Sequence, residues 1–493
     1  MAKKSNVVLN SVIYTVCGML QKCFSLVLLP LYTAYLTPND KGIIDITGSF
    51  VTSMTFVVAF SLYSAVMRFY VDLKDDAEKL KRFYGTVVSF VFISGFVFLL
   101  IFILTQELLE KYLFVGIPFY PLILVCILQL IFTCQHTLHT HILKSQQRAG
   151  KLSILSFIYF LTTVGLNILF VVGFNLGALG ILLAGMISGI LYTVYFIIDM
   201  RRTDEIKFCV DFELLKSALK YSIPIMPHNL STHLATFISN ALIGGTASLS
   251  ALGVYGVAIQ FGNVADMIQV YVNNAYGPWL YEKLHDKEQG FKKTIRSTVN
   301  MLCSAIGLFF IGIALFAKDF IVLFIDENYV SAWPYVIFLV LVFAIKTIYY
   351  FYVNVLFYYK KASKLLFTAT LSSSIVNLLL SAVLIPMYGV YGSIGADAVA
   401  MLLRVAIIVF ISKKFDDIGL KVRDFVKNFV VIASFIFIGH IFSFIRFSTT
   451  FNIYDFIYRI AVLLVYIIIC YFAHKQTINS FLQSLKNKRG AKK

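Results

Sequence analysis

Ionisable and amide side chains set inside long apolar runs are the residues of this chain that could do chemistry, because hydrocarbon tolerates them only where they are used or paired. Lys22 lies about thirteen residues into the first run, roughly 20 Å deep at about 1.5 Å per residue, with Gln21 beside it. Snorkelling is difficult from that depth. Lys22 therefore reads either as a cation lining a polar cavity or as the buried partner of a carboxylate. Arg68 sits near the end of the second run, where it can snorkel, or where its planar fork can meet a phosphate. The eighth run carries Gln260, Asn263, Asp266, Gln269, Asn273 and Asn274. At ~100° per residue the five from Asn263 onward span an arc of about 140°, so that side faces water or protein. Asp266 is the carboxylate best placed to titrate or bind a cation; the competing reading is a permanent ion pair with Lys22 or another buried base.

The seventh run opens with Pro224 and Pro227, followed by His228, Asn229, His233 and Asn240. Two prolines three residues apart bend or break a helix and leave backbone groups for neighbours to satisfy. That is a place for flexing or, equally, for helix packing. In the twelfth run Asp397 and Arg404 share a face but are too far apart for direct contact. Lys346, in the tenth, precedes a Tyr-rich stretch from Tyr349 to Tyr359 that suits an interfacial aromatic belt better than a sugar platform. His136, His139 and His141 are crowded, yet only the first two share a face and no carboxylate or Cys lies close. No metal site is expected there. The seven cysteines occur singly and give neither a metal cluster nor a disulfide framework.

The elements that must position these residues follow from composition. Of the 493 residues 59% are hydrophobic and 14% charged, and mean hydropathy is +0.84. A hydrocarbon core takes about 20 apolar residues per helix. By that measure spans begin near residues 9, 42, 83, 117, 150, 177, 217, 250, 294, 331, 363, 391, 426 and 455. The runs are continuously apolar rather than alternating, which argues against a barrel. The net charge of +17 is not a nucleic-acid signature. Lys and Arg concentrate at the termini and in alternate loops. The other face holds Lys41, Lys111, Lys318, Arg446 and Arg459, and the spans hold Lys22, Arg68, Lys346 and Arg404. By the positive-inside rule both termini are cytoplasmic. Lys3-Lys4 before the first run imitates a signal peptide, but no Ala-x-Ala site follows, so the run is expected to be a retained helix.

The chain also repeats itself. Lys151, then Asn167-Ile-Leu-Phe, then Gly177-Ala-Leu-Gly180 is answered by Lys364, then Asn377-Leu-Leu-Leu, then Gly389-Val-Tyr-Gly392. Upstream, Gly42-Ile-Ile-Asp45 is answered by Gly253-Val-Tyr-Gly256. Six spans per copy give both copies the same orientation, as in parallel-repeat transporters. The expectation is an all-α polytopic membrane protein of about 14 transmembrane helices, two parallel six-helix lobes plus an appended helix pair. It divides into 1–200 (spans one to six), a linker at 201–216, 217–415 (spans seven to twelve) and 416–493 (spans thirteen and fourteen with a basic tail). No connecting segment is long enough for a catalytic domain, so no enzyme and no catalytic residue are expected.

The stretch Asn377-Leu-Leu-Leu-Ser-Ala-Val-Leu-Ile-Pro-Met-Tyr-Gly-Val-Tyr-Gly-Ser-Ile-Gly-Ala resembles the signature of Wzx-type polysaccharide flippases of the MOP exporter superfamily. The opening agrees, with Leu9-Asn10, Leu28-Leu-Pro30-Leu-Tyr-Thr33 and Leu36-Thr-Pro-Asn-Asp-Lys-Gly42. The resemblance implies transport of a polyprenyl pyrophosphate-linked oligosaccharide from the inner to the outer leaflet of a bacterial cytoplasmic membrane. It implies alternating access, often with H⁺ or Na⁺ coupling, and no other cofactor. Cavities of the family are cationic and lined by spans one, two, seven and eight, and Lys22 and Arg68 fall where the family places basic residues. The candidate substrate set is Lys22, Arg68, Asn229, His233, Asn263, Gln269 and Asn273; the candidate coupling carboxylates are Asp266 and Asp397. Asp397 departs from the signature, which has a small apolar residue there. A monomer working with membrane lipid, a polymerase and glycosyltransferases is expected. The competing readings are a multidrug or small-solute antiporter of the same superfamily, a membrane glycan polymerase, and a non-transporting scaffold.

Overall fold

Backbone polar groups in hydrocarbon must be satisfied within their own segment, which leaves helices for runs of this kind. In the computed structural model every run is helical over its described residues. It describes residues 7–286, 289–359, 365–446 and 450–490. Lys3 and Lys4 of the basic N-terminus, and Lys364 at the start of the second repeat copy, lie outside the described residues. The main helices are α1 (Val7–Val27), α2 (Pro38–Val58), α3 (Leu62–Leu73), α4 (Ala77–Leu104), α5 (Leu124–Ser145), α6 (Ala149–Ile168), α7 (Gly177–Arg202), α8 (Phe212–Ser222), α9 (Met226–Leu242), α10 (Leu249–Asp286), α11 (Phe291–Phe324), α12 (Trp333–Tyr358), α13 (Leu366–Tyr388), α14 (Val390–Phe415), α15 (Val422–Gly439) and α16 (Ile453–Gly490).

Among the described residues, 12 helical stretches are long and apolar enough to cross a membrane. The two other expected spans correspond to the α8–α9 pair, divided at Pro224 and Pro227, and to α15, whose first turns carry Arg423, Asp424 and Lys427. The protein is a multi-pass, all-helical membrane protein.

Contacts sort the chain into two compact units, residues 1–256 with 374–393, and 257–373 with 394–493. These do not coincide with the division at 201–216, because the repeat records duplication and the units record packing.

In the first unit α5 packs on α7 and α3, α2 on α9, and α1 on α6. The α2 start is built by Thr37-Pro-Asn-Asp40. Thr37 Oγ1 accepts from the Asp40 amide at 3.1 Å, Asp40 Oδ2 accepts from the Thr37 amide at 3.1 Å, and Pro38 occupies the first turn. The second oxygen of Asp40 accepts from the Ala178 amide at 3.1 Å, tying this corner to the start of α7. The repeated glycines Gly177 and Gly389 both have φ of 56°, a left-handed turn that a side chain would strain. In the first copy Asn167 Nδ2 donates to the Tyr32 hydroxyl at 3.3 Å.

The other repeated motif packs against its own counterpart. A Cβ on Gly42 would collide with the Leu249 carbonyl, and one on Gly253 with the Pro38 carbonyl. Backbone therefore touches backbone, as small residues permit where helices cross closely. Gly256 leaves the space that the Lys41–Asp45 ion pair fills.

In the second unit α11 packs on α12, α15 and α16. Lys318 and Arg459, expected in outward loops, are instead helical and buried, 2% and 1% exposed. Arg459 Nη1 donates to Asp319 Oδ2 at 2.5 Å and Nη2 to Ser443 Oγ at 2.6 Å, while Lys318 Nζ lies 3.4 Å from the same hydroxyl. Lys41, also expected in a loop, is in α2 and paired with Asp45. Pairing is what allows these charges inside helices.

Candidate functional site

Each unit holds part of the candidate set. In the first unit Lys22 stands exposed on α1 with no hydrogen-bond or ion-pair partner among the described residues. Its neighbour Gln21 donates to the Ser156 carbonyl on α6 at 3.2 Å, so the helix is anchored through the amide and the ammonium is left over. Arg68 is exposed on α3 and pairs with Asp72 one turn on, at 2.5 Å. Four residues before it, Ser64 accepts from Asn229 Nδ2 of α9 at 3.3 Å. The structure thus brings Asn229 to the helix that carries Arg68. His233, half-buried on α9, stacks on Phe56 of α2 at 5.2 Å, and its carbonyl accepts from Ser53 Oγ at 2.8 Å. Asn240 donates to Ser49 Oγ at 3.1 Å. The polar face of α9 is largely spent on α2 and α3.

In the second unit the α10 stripe faces α12. Asp266 Oδ1 accepts from Lys346 Nζ at 2.7 Å and from the Tyr350 hydroxyl at 3.2 Å. Gln269 Nε2 donates to the Phe343 carbonyl at 2.6 Å and to Thr347 Oγ1 at 2.5 Å. Asn273 Oδ1 accepts from Asn354 Nδ2 at 2.6 Å. These are the three rungs of a polar ladder between two membrane helices. Of the two readings for Asp266, the pair is what the structure displays, and the base is Lys346 rather than Lys22. The pair keeps some access, its side chains being 24% and 20% exposed for Asp266 and Lys346. The ammonium also lies 5.4 Å from the ring centres of Phe343 and Tyr350. Asn263, at the other end of the stripe, is exposed.

Asp397 and Arg404 lie on α14, and Arg404 Nε donates to Ser373 Oγ at 2.8 Å. The Tyr-rich stretch spends its hydroxyls inside the unit. Besides Tyr350, Tyr352 donates to the Leu420 carbonyl at 3.0 Å and Tyr359 to Asp416 at 2.6 Å. Burial, with the bond to Asp416, pushes the Tyr359 phenol up to about 12. The three clustered histidines pack among tyrosines: His136 stacks on Tyr159 and meets Tyr192 edge-on, His139 meets the Tyr192 hydroxyl at 2.9 Å, and His141 stacks on Tyr63.

Among the ionic features the sequence did not reveal are Lys346 as the partner of Asp266, the Lys41–Asp45 pair, and the buried Asp319–Arg459 pair. The spacing of four between Lys41 and Asp45 was a usable signal. The other two join residues far apart in the chain, which no local pattern reveals.

The fold is that of MOP-superfamily transporters. The chain superposes on a lipid II flippase, MurJ, in an inward closed conformation with a TM-score of 0.72 and 15% identity, covering 94% of this chain and 99% of that one. It superposes on an inward-facing multidrug resistance MATE transporter with a TM-score of 0.56 and 15% identity, covering 80% and 94%. A MOP-superfamily transporter from Pyrococcus furiosus gives 0.50 at 15% identity, covering 83% and 95%. No curated protein sequence matches. Residues 7–284 match the family described as polysaccharide biosynthesis protein, and the chain belongs to that family.

Proposed function

We propose that the protein carries a polyprenyl pyrophosphate-linked oligosaccharide from the inner to the outer leaflet of a bacterial cytoplasmic membrane by alternating access coupled to an ion gradient. The observation that carries this reading is the family match over residues 7–284, a family of polysaccharide biosynthesis, in a chain that is nearly all membrane helix. The MurJ likeness supports it, since that protein is a lipid II flippase.

The physics runs the same way. A pyrophosphate and its sugars cannot enter hydrocarbon, whereas the polyprenyl tail is at home there. The carrier must supply positive charge to the headgroup and leave the tail in lipid. Lys22, exposed and without a partner among the described residues, has its charge to give. Arg68 can accept phosphate by releasing Asp72, an exchange of one oxyanion for another. Asn229, His233, Asn263, Gln269 and Asn273 complete the candidate substrate set. In the proposed coupling step a proton or Na⁺ on Asp266 loosens Lys346, with Asp397 the second candidate carboxylate. In this reading both termini are cytoplasmic, the orientation that the basic loops favour. A polymerase and glycosyltransferases would stand on either side of the step, making the lipid-linked unit and consuming it.

The test is depletion of the protein while lipid-linked oligosaccharide is followed by leaflet. The intermediate should accumulate on the cytoplasmic leaflet; undiminished outward delivery would sink the reading. The MATE likeness favours a second reading, export of small cationic solutes. It predicts that depletion raises retention of cationic dyes and leaves the lipid-linked pool untouched.

A further inference from the structure

A cavity of about 620 Å³ opens between the first turns of α11 and the stretch of α16 where its apolar run gives out. Its walls include Lys293, Arg296, Asn300, Phe472, Lys475 and Thr477. Two of the three lining cations are uncommitted. Arg296 grips Asp424 of α15 through both Nε at 2.6 Å and Nη2 at 3.0 Å, so its charge is matched. Lys293 and Lys475 are exposed and have no ion-pair partner among the described residues. Among the described residues no carboxylate lines the cavity. The two helices are held together at its edge by hydroxyl contacts, Ser297 with Thr477 at 2.8 Å and Ser304 with His474 at 2.9 Å, so the cleft has fixed walls.

Immediately beside these cations α16 turns strongly apolar toward its outside. Phe472 is 69% exposed, and Ile468, Ile469 and Tyr471 are about half exposed. A polar, doubly cationic niche that continues into an exposed apolar helix face is the imprint of an amphiphile with a negative head. A free phosphate would use the niche and ignore the face below it. The niche also lies on the side of the basic loops, where the net-positive segments of the chain meet the leaflet surface, and basic pockets between membrane helices at that depth suit anionic headgroups.

From this we infer a binding site for an anionic phospholipid at the basic-loop end of α11 and α16, with the headgroup phosphate between Lys293 and Lys475 and the acyl chains along Phe472 and the apolar face of α16. The site lies wholly within one compact unit and shares no residue with the candidate substrate set, and the inference does not depend on the transport reading.

The full-length protein, delipidated in detergent, is titrated with dioleoylphosphatidylglycerol, with dioleoylphosphatidylcholine and with inorganic phosphate, and bound lipid is counted by native mass spectrometry. Phosphatidylglycerol should bind at least tenfold more tightly than phosphatidylcholine. The double variant Lys293→Gln with Lys475→Gln should lose most of that preference while melting at the wild-type temperature in lipid-free detergent. Lys293→Arg with Lys475→Arg should keep it, which guards against a variant that merely folds badly. Equal binding of the two lipids, or an unchanged preference in the Gln variant, overturns the inference. So does displacement of the lipid by millimolar inorganic phosphate, which would make the niche an anion site and nothing more.

Discussion

Lys22 and Asp266 were singled out by one criterion, a charge inside an apolar run, and their surroundings differ in a way that makes different predictions. No hydrogen bond or ion pair among the described residues depends on Lys22, so Lys22→Ala should leave the melting temperature in detergent within about 1 °C and abolish or strongly reduce delivery of lipid-linked glycan. Arg68→Ala should behave alike, with Asp72 freed at an exposed site. Wild-type delivery by both variants would remove the cationic groove from the mechanism. Asp266→Asn is a different experiment, since it strands Lys346 between helices. It should cost on the order of 3 kcal/mol. Adding Lys346→Met should recover most of that loss while transport stays impaired if the pair couples an ion. Recovery of both stability and transport would reduce the pair to packing. Sequence could nominate Asp266 but could not name its partner, because α10 and α12 meet only after the intervening span has crossed and returned.

At the scale of elements the sequence was most informative where local rules apply. Twelve of the fourteen expected spans are helices long and apolar enough to cross a membrane, and the repeated glycines Gly177 and Gly389 both take the left-handed turn that glycine allows. It misled where tertiary pairing overrides a local rule. Arg459 and Lys318 carry charge near helix ends, which reads as loop, yet Asp319 and Ser443 take both into the interior. Arg459→Met should therefore destabilise the α11–α16 packing by about 3–5 kcal/mol, by leaving Asp319 buried and alone. The double change with Asp319→Leu should restore most of it; thermal unfolding followed by circular dichroism reads both. At the start of α4, Asp76 accepts from the Lys79 amide at 3.1 Å, and that bond holds its carboxyl below the usual range. Its contribution is complete above the ordinary carboxylate pKa and is lost as acid titrates through the lowered one. Asp76→Asn should flatten that acid limb of a stability–pH curve without removing the cap.

At the scale of the whole molecule, family membership and fold show a multi-pass membrane protein of the polysaccharide biosynthesis family, while transport, the glycan, the driving ion and the partners belong to the proposal. The sequence carried the helical, repeated frame because the same motifs are written twice. It did not carry the cargo, since sugars are recognised by a few hydrogen bonds whose donors look like any other amide. Gly42→Val should block folding, because the colliding atom is main chain and cannot move aside, with a cost of about 3 kcal/mol or more. Gly18→Ala, with nothing within 4 Å, is the silent control. Protein yield in the membrane fraction separates the two.

The self-facing crossing of α2 and α10 also constrains history. Gly42 meets Leu249 as Gly253 meets Pro38, so two identical halves could have made this contact as separate, paired chains. Asp45 breaks that equivalence, because its carboxylate occupies the place that only a hydrogen at position 256 leaves vacant. An ancestor with the acid in both copies could not close the crossing. The acid is therefore a mark of divergence between the two copies, and the crossing cannot return to a pairing of equals without first giving it up.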